Sequence, residues 1–287
     1  PDSRVTRLMN ALKYRLPQLK ILIQTSNSGI SEAQNLAVSV ACGEFVAFLD
    51  CDDELVPGAL AAVSGCLRNN PEADYFFTDR IDMDEEGKKV RIAQYGGYEN
   101  LVFSTQENIR SDLLEGMVAS HLKIIRRSTY LEVGGCDGRF SGVQDWDLAL
   151  KIAENHRLHY LAMPLYKHRI HSQSVTRSDM TAQFRKTNQV RRHYSERWLR
   201  SVHYERSASN QVMITAENFQ DSLPELKAYW KQGKCCVADA KGKLTTSQIN
   251  FLREFNSYFD QIVLDDPRVA AALYGYLYSN DLMMKVN

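Results

Sequence analysis

Several carboxylate side chains directly follow one apolar run of the sequence. The run 45–49 leads into Asp50, Asp52, Asp53 and Glu54, which are interrupted only by Cys51. Carboxylates this close repel one another unless water or a cation separates them. Hard oxygen ligands suit Mg²⁺ or Mn²⁺, and these ions keep open positions for substrate phosphates. The alternative is a solvated acidic turn that caps the following helix.

A second acidic pair opens the helical pattern QDWDLALKIAE, residues 144–154. Asp145 can face a pocket together with Gln144, whereas Asp147 has the i, i+4 spacing that pairs it with Lys151. A carboxylate in a pocket can act as a general base. The alternative is that Asp145 only caps the helix, which is worth about 1 kcal/mol.

Two histidines flank Arg169 in the segment LYKHRIHSQSVT, residues 165–176. His168 and His171 have side chains that can bind a metal ion or contact a phosphate. The alternative is that they pack against neighbouring residues or are solvated.

The elements that must position these residues alternate between strand and helix. This alternation predicts an α/β fold with a mostly parallel, Rossmann-type sheet and flanking helices. The predicted strands include KILIQT (20–25), EFVAFLD (44–50), ADYFFTD (73–79) and RLHYLAM (157–163). Asp50 and Asp79 each end one of them, at the carboxyl edge where open parallel sheets bind ligands.

The organisation of the chain changes at two places. Residues 82–116 are predicted as a hairpin followed by an irregular excursion, which is typical of a lid or an acceptor loop. Strand–helix alternation starts again after residue 200, so we expect a first domain at 1–200 and a smaller α/β unit at 201–287. The basic helical segment 185–200 is interpreted as a solvated face, with contact to a membrane-linked acceptor or a partner as the alternative.

Composition narrows the class of protein. With 44% apolar and 24% charged residues, the 287-residue chain is typical of a globular protein with a sizeable core. Lys+Arg and Asp+Glu both number 35, so we expect neither a nucleic-acid partner nor general attraction to an anionic membrane. Six cysteines without a C-x-x-C motif predict reduced thiols in the cytoplasm. No apolar stretch approaches the roughly 20 residues that span a bilayer.

Four segments in order resemble the family 2 glycosyltransferases of GT-A fold, above all the bacterial enzymes of surface polysaccharide assembly. They are residues 27–60, 75–89, 119–154 and 165–176. The resemblance implies an inverting enzyme that moves a sugar from a nucleoside-diphosphate donor to a hydroxyl of a glycan or lipid-linked acceptor. It also implies Mn²⁺ or Mg²⁺ as cofactor and a location in the cytoplasm or at the inner face of the membrane.

The resemblance further implies roles for individual residues. LDCDD matches the D-x-D motif of the family, which places Asp50 on the nucleotide ribose and Asp52 on the metal-bridged diphosphate. QDWDL matches the E-D motif, which makes Asp145 the general base. RIHSQS matches an R-x-H-x-x-S pattern, which makes His171 a second metal ligand. The other implied donor-binding residues are Asn27, Gly29, Asn35, Asp79, Arg169 and Ser174.

The strands with which family members open, of the type V-S-I-I-V-P-x-Y-N, have no counterpart in the sequence. We expect an isolated chain without them to bind donor poorly or to fold poorly. A non-catalytic, decayed transferase module for binding or assembly is therefore the alternative function, although the presence of Asp52, Asp145 and His171 disfavours it. A phosphatase with a nucleophilic aspartate after a strand is a further alternative, which Glu54 and the upstream helices disfavour.

Overall fold

The described residues form two β-sheets with helices packed around them. The computed structural model describes residues 3–94, 106–171, 180–200, 211–278 and 283–286. The strands of the first sheet are β1 (Phe45–Ala47), β2 (Glu54–Leu55), β3 (Tyr75–Met83), β4 (Lys89–Ala93), β5 (His121–Arg126) and β6 (Leu158–Arg169). The helices around it are α1 (Ser3–Arg15), α2 (Ile30–Val40), α3 (Ala59–Asn69), α4 (Gln106–Glu115), α5 (Arg127–Glu132), α6 (Gln144–Asn155) and α7 (Met180–Arg200).

Strand direction in the first sheet is mixed, so the prediction of a mostly parallel sheet is corrected while the α/β class is confirmed. The strands lie in the order β1-β5-β3-β6-β2, and β4 also pairs with β3. β3 and β6 pair in parallel, whereas β5 lies antiparallel between β1 and β3. β4 returns from β3 through a tight hairpin, which makes the two strands antiparallel. The alternation of elements along the chain does not determine the direction in which a short strand enters the sheet.

Two segments differ from their predicted secondary structure. Residues 20–25 have a strand pattern but form no strand, because no described strand lies beside them to complete a ladder. The predicted hairpin is confirmed at 84–88, where the N–H of Lys88 donates to the carboxylate of Asp84 at 2.7 Å. Part of the predicted irregular excursion is instead helix α4, and residues 95–105 lie outside the described residues.

The second sheet is parallel throughout. Its strands are β7 (Gln211–Thr215), β8 (Cys235–Ala240), β9 (Gln261–Leu264) and β10 (Met283–Val286), in the order β10-β9-β8-β7. The helices that follow its first three strands are α8 (Leu223–Lys231), α9 (Thr246–Phe255) and α10 (Pro267–Tyr274). Parallel neighbours need such crossover connections. The boundary at residue 200 stays a prediction.

Helix α7 packs between the two sheets. Arg191 is 5% exposed and donates to the carbonyl of Leu114, at the end of α4, at 3.2 Å. It also donates to Oγ of Ser257, just after α9, at 2.9 Å. Arg192 is equally buried and pairs with Asp260 at 2.7 Å. These two arginines therefore do not belong to a solvated or membrane-facing basic surface. None of the described helices is both long and apolar enough to cross a lipid bilayer.

Candidate active site

The acidic turn, residues 50–54, follows β1 along the chain and leads into β2. These two strands lie at opposite ends of the order β1-β5-β3-β6-β2 in the first sheet. The N–H of Asp50 donates to the hydroxyl of Tyr166 in β6 at 3.2 Å. Helix α3 begins at Ala59, and its N-cap residue is Gly58, with no side-chain cap. The alternative in which the acidic turn caps this helix is therefore not supported.

Asp52 lies beside His171, two residues after the end of β6. Oδ2 of Asp52 and Nε2 of His171 are 2.9 Å apart, and their side chains are 40% and 29% exposed. A carboxylate oxygen and an imidazole nitrogen that meet at an open rim can bind one divalent cation, so this pair fits the implied Mn²⁺ or Mg²⁺. The structure brings the two predicted metal ligands together, and their metal role stays a prediction.

Asp53 attaches the acidic turn to β6 through two hydrogen bonds. Its Oδ2 accepts from the hydroxyl of Tyr166 at 2.6 Å, and its Oδ1 accepts from the backbone N–H of Arg169 at 2.7 Å. Burial and the bond to Asp53 raise the pKa of the Tyr166 hydroxyl, so this group stays a proton donor. The turn is thereby fixed to the carboxyl end of β6.

Asp145 lies in the first turn of α6 and is bound by a lysine of β5. Oδ2 of Asp145 is 2.7 Å from Nζ of Lys123, whose side chain is 11% exposed. Burial alone would raise the pKa of Asp145, but the charge and hydrogen bond of Lys123 hold it below its ordinary value. The N-cap residue of α6 is Val143, so the alternative in which Asp145 caps the helix is not supported.

Lys123 also connects Asp145 with the acidic turn electrostatically. Loss of hydration raises the pKa of Asp50, Lys123 opposes this rise, and Asp53 and Asp145 add to it. Asp50 keeps an exposed side, so it remains open to a ligand although its surroundings remove part of its water. The charge of Lys123 therefore lowers the pKa of both Asp50 and Asp145.

The start of α6 is held in place by its neighbours. The indole N–H of Trp146 donates to the carbonyl of Leu113 in α4 at 2.6 Å. Oδ1 of Asp147 accepts from the hydroxyl of Tyr194 in α7 at 2.9 Å. The predicted pair of Asp147 with Lys151 is confirmed at 3.2 Å. These contacts fix the residues that flank Asp145.

The predicted donor-binding residues before α2 serve the local backbone in this structure. Oδ1 of Asn27 accepts from the N–H of Gly29 at 3.0 Å, and Gly29 has a φ of 85°, which favours glycine. Both residues are exposed. Asn35 instead binds the segment before α6: it donates to the carbonyl of Cys136 at 2.9 Å and accepts from the hydroxyl of Tyr130 at 2.6 Å. Their donor-binding roles stay predictions.

The remaining predicted donor-binding residues lie farther along the sheet. Asp79 is 2% exposed and accepts from the hydroxyl of Tyr160 at 2.6 Å. The register of β3 against β6 shifts there, and Pro164, which has no N–H for the ladder, stands opposite. The guanidinium of Arg169 donates to the carbonyls of Asp52 at 3.0 Å and Glu85 at 2.8 Å, so it braces the acidic turn. Ser174 lies outside the described residues.

Sequence reasoning missed Lys123 and His121. Alternation along β5 indicates only that these two side chains leave the core, because His121 and Lys123 share a parity that is opposite to that of buried Leu122. Burial, with the charges of Arg80 and Lys123, holds the pKa of His121 well below its ordinary value, so the ring is neutral. The residues around the acidic turn therefore include a lysine and an imidazole as well as the predicted carboxylates.

Comparisons with known proteins agree with the sequence motifs. The family described as glycosyl transferase family 2 matches residues 5–134. The uncharacterized protein y4gI of Sinorhizobium fredii is 30% identical over 172 residues, which are 58% of this chain and 18% of that protein. The O-antigen biosynthesis protein RfbC of Myxococcus xanthus is 28% identical over 164 residues, which are 56% of this chain and 12% of that protein. The chain thus spans less than a fifth of the length of either relative.

A solved structure has a similar fold. The crystal structure of S. aureus TarS 1-349 has a TM-score of 0.50 at 18% identity, and the similarity covers 93% of this chain and 70% of that chain. At this identity the similarity concerns the fold alone, and it agrees with the GT-A fold that the sequence motifs predict. Residues 5–134, which contain the acidic turn, match the family model of glycosyl transferase family 2.

Proposed function

We propose that the chain transfers a sugar from a nucleoside-diphosphate donor to a hydroxyl of a glycan or lipid-linked acceptor, in the synthesis of a surface polysaccharide. The observation that carries this proposal is that Asp52 of the acidic turn lies 2.9 Å from His171, while Asp145 is held at 2.7 Å by Lys123. The family match supports sugar transfer, and the O-antigen biosynthesis protein among the relatives supports a polysaccharide product.

Asp145 is the general base in this proposal. An acceptor hydroxyl is a poor nucleophile, and a carboxylate within hydrogen-bond reach makes it effective by taking its proton during attack. Lys123 keeps Asp145 ionised and fixes its orientation. The acceptor oxygen attacks the anomeric carbon, the bond to the diphosphate breaks, and the nucleoside diphosphate leaves with the electron pair. One direct displacement inverts the configuration.

The acidic turn binds the donor. Asp50 contacts the nucleotide ribose, and Asp52 and His171 would hold a Mn²⁺ or Mg²⁺ ion. Such an ion supplies Lewis-acid stabilisation of the charge that develops on the leaving diphosphate. Asn27, Gly29, Asn35, Asp79, Arg169 and Ser174 complete the proposed donor site. Free thiols at all six cysteines are consistent with a cytoplasmic location, and we propose that a lipid-linked acceptor is met at the inner face of the membrane.

Two substitutions test the division of roles. Asp52→Asn should weaken Mn²⁺-dependent binding of UDP or GDP and abolish transfer, because a metal ligand is lost. Asp145→Asn should leave that binding within about twofold and lower turnover by about 10²- to 10⁴-fold, the usual contribution of a positioned base. Isothermal titration with the nucleotides, and a hydrolysis screen over a panel of nucleotide sugars, measure the two effects.

Asp221→Asn is the matched control, because Asp221 is an exposed aspartate in the second unit. It should change neither binding nor turnover. Equal loss of nucleotide binding in the Asp52 and Asp145 variants would contradict the assigned roles. Nucleotide binding without any hydrolysis or transfer by the unsubstituted protein would favour the non-catalytic binding module instead.

A further inference from the structure

Three side chains that could bind a metal converge next to the acidic turn without belonging to the proposed donor site. They are Asp53 in the turn, His121 at the start of β5 and His168 near the end of β6. One carboxylate oxygen of Asp53 and one ring nitrogen of each histidine lie within 4.8 Å of one another. The two imidazole rings are 5.2 Å apart between centroids. Two ligand atoms that each lie about 2.0–2.2 Å from one ion are at most about 4.4 Å apart, so the three atoms are close to the separations found around a single ion.

His168 is oriented by a buried carboxylate. Its Nδ1 lies 3.3 Å from Oδ1 of Asp82, which is fully buried. Arg80 and Arg91 each bind Asp82 at 2.7 Å, so this carboxylate stays ionised and can only accept hydrogen bonds. A hydrogen on Nδ1 of His168 faces this acceptor, and Nε2 is then the ring nitrogen that can bind a metal. A carboxylate behind a histidine is the usual support of a metal-binding imidazole.

His121 and Asp53 are oriented in a comparable way. Nδ1 of His121 lies 2.8 Å from Oγ of Ser120, which can accept its hydrogen, and 3.3 Å from the guanidinium of Arg80. The serine hydroxyl can donate to Nδ1 or accept from it, so it permits the tautomer with the lone pair on Nε2 that metal binding requires, although the guanidinium of Arg80, which is paired with Asp82, can only donate. The two hydrogen bonds that Asp53 accepts fix its carboxylate and leave further lone pairs free.

We propose that Asp53, His121 and His168 form a binding site for a divalent transition-metal ion of the Zn²⁺ or Co²⁺ class, separate from the Asp52–His171 pair. Two imidazoles and one carboxylate suit Zn²⁺ and its neighbours better than Mg²⁺, which takes mainly oxygen ligands. We name this set of three residues the histidine clasp. It goes beyond the proposed sugar transfer and does not depend on it.

The position of the clasp indicates its effect. Asp53 is next to Asp52 in the acidic turn, while His121 and His168 belong to β5 and β6, on either side of the central strand β3. An ion bound by all three would join the turn to two strands of the sheet. It would therefore hold the acidic turn in place without contacting the sugar donor.

Cobalt absorption tests the clasp directly. Protein freed of metal with a chelator is titrated with Co²⁺, and we expect one equivalent to produce visible d–d bands that Zn²⁺ removes and Mg²⁺ does not. His121→Asn and His168→Asn should each abolish these bands at one equivalent. His193→Asn, at an exposed histidine of α7, should leave them unchanged. A near-ultraviolet thiolate-to-cobalt band, from a site at a cysteine such as Cys51, would overturn the proposal.

Two further measurements separate the clasp from other outcomes. The double variant Asp52→Asn with His171→Ala should keep the cobalt bands, and their loss there would assign the ion to the donor site. Pulsed electron paramagnetic resonance of the unsubstituted protein with one equivalent of Cu²⁺ should detect two coordinated imidazoles, and His171→Ala should still show two. Fewer than two would overturn the clasp even where a histidine variant fails to fold. Failure of sugar transfer would affect none of these readings.

Discussion

At the scale of single residues, the state of Asp145 depends on Lys123. We expect Lys123→Met to move the acid limb of the pH profile of turnover to higher pH. The reason is that burial, which raises the pKa of Asp145, would no longer be opposed by the lysine charge. Turnover at pH 7 should fall by about 10- to 100-fold, part of what a positioned base contributes. Steady-state kinetics between pH 5 and 9 measure both effects.

A conservative variant tests whether charge or packing is responsible. Lys123→Arg keeps the positive charge beside Asp145, so it should restore most of the acid limb. Nucleotide binding should change little in both variants, because the predicted ligands of the cation, Asp52 and His171, are untouched. An unchanged acid limb in Lys123→Met would show that the lysine serves packing only.

At the scale of elements, the sequence predicted what depends on nearby residues. The acidic turn after β1, the hairpin after β3 and the pair of Asp147 with Lys151 all follow from short spacings. The partner of Asp145 is Lys123, 22 positions away and on another element, and no local spacing reveals it. For the same reason the pattern at 20–25 predicted a strand that has no neighbour to pair with.

The contact between α4 and α8 has a pH dependence that can be predicted. Burial and the charge of Glu115 raise the pKa of Asp112 to about 6, against the influence of Lys231. A carboxyl group whose pKa is raised on folding has no effect on stability below its unfolded-state pKa, and it destabilises the protein increasingly as the pH rises through that value to the folded-state pKa and above. Asp112→Asn should therefore raise the free energy of unfolding by about 1 kcal/mol at pH 7.5, after allowance for solvent screening. The difference should vanish below about pH 4, the ordinary pKa of aspartate.

Glu115→Gln is the opposing case on the same helix. Glu115 contacts both Lys227, at 3.1 Å, and Lys231. Burial alone would raise its pKa, but the two lysines hold it below the ordinary value. Its ionised form therefore stabilises the fold above the ordinary pKa of glutamate, and Glu115→Gln should lower the stability at pH 7.5. Urea unfolding of both variants from pH 4 to 8 measures the two signs, and equal signs would contradict this account.

At the scale of the whole molecule, the two sheets share one hydrophobic core. Trp146 and Tyr194, beside the first sheet, belong to the same buried cluster as Phe219 and Trp230 of the second unit. Arg191 reinforces this junction, since its guanidinium lies 5.5 Å from the ring of Trp146 and 4.8 Å from that of Tyr258. A continuous core predicts that both sheets unfold together.

We therefore expect one calorimetric transition, with equal calorimetric and van't Hoff enthalpies. Arg191→Met should lower the free energy of unfolding by about 3 kcal/mol, because it leaves the carbonyls at the end of α4 buried without their donor. Exposed Arg185 on the same helix offers the matched control, and Arg185→Met should change stability by less than about 0.5 kcal/mol. Two separate transitions in the unsubstituted protein would mean that the second unit folds independently and that α7 only tethers it. In that case no shared core would connect the second unit to Trp146. The second unit would then have no influence on the position of the neighbouring Asp145.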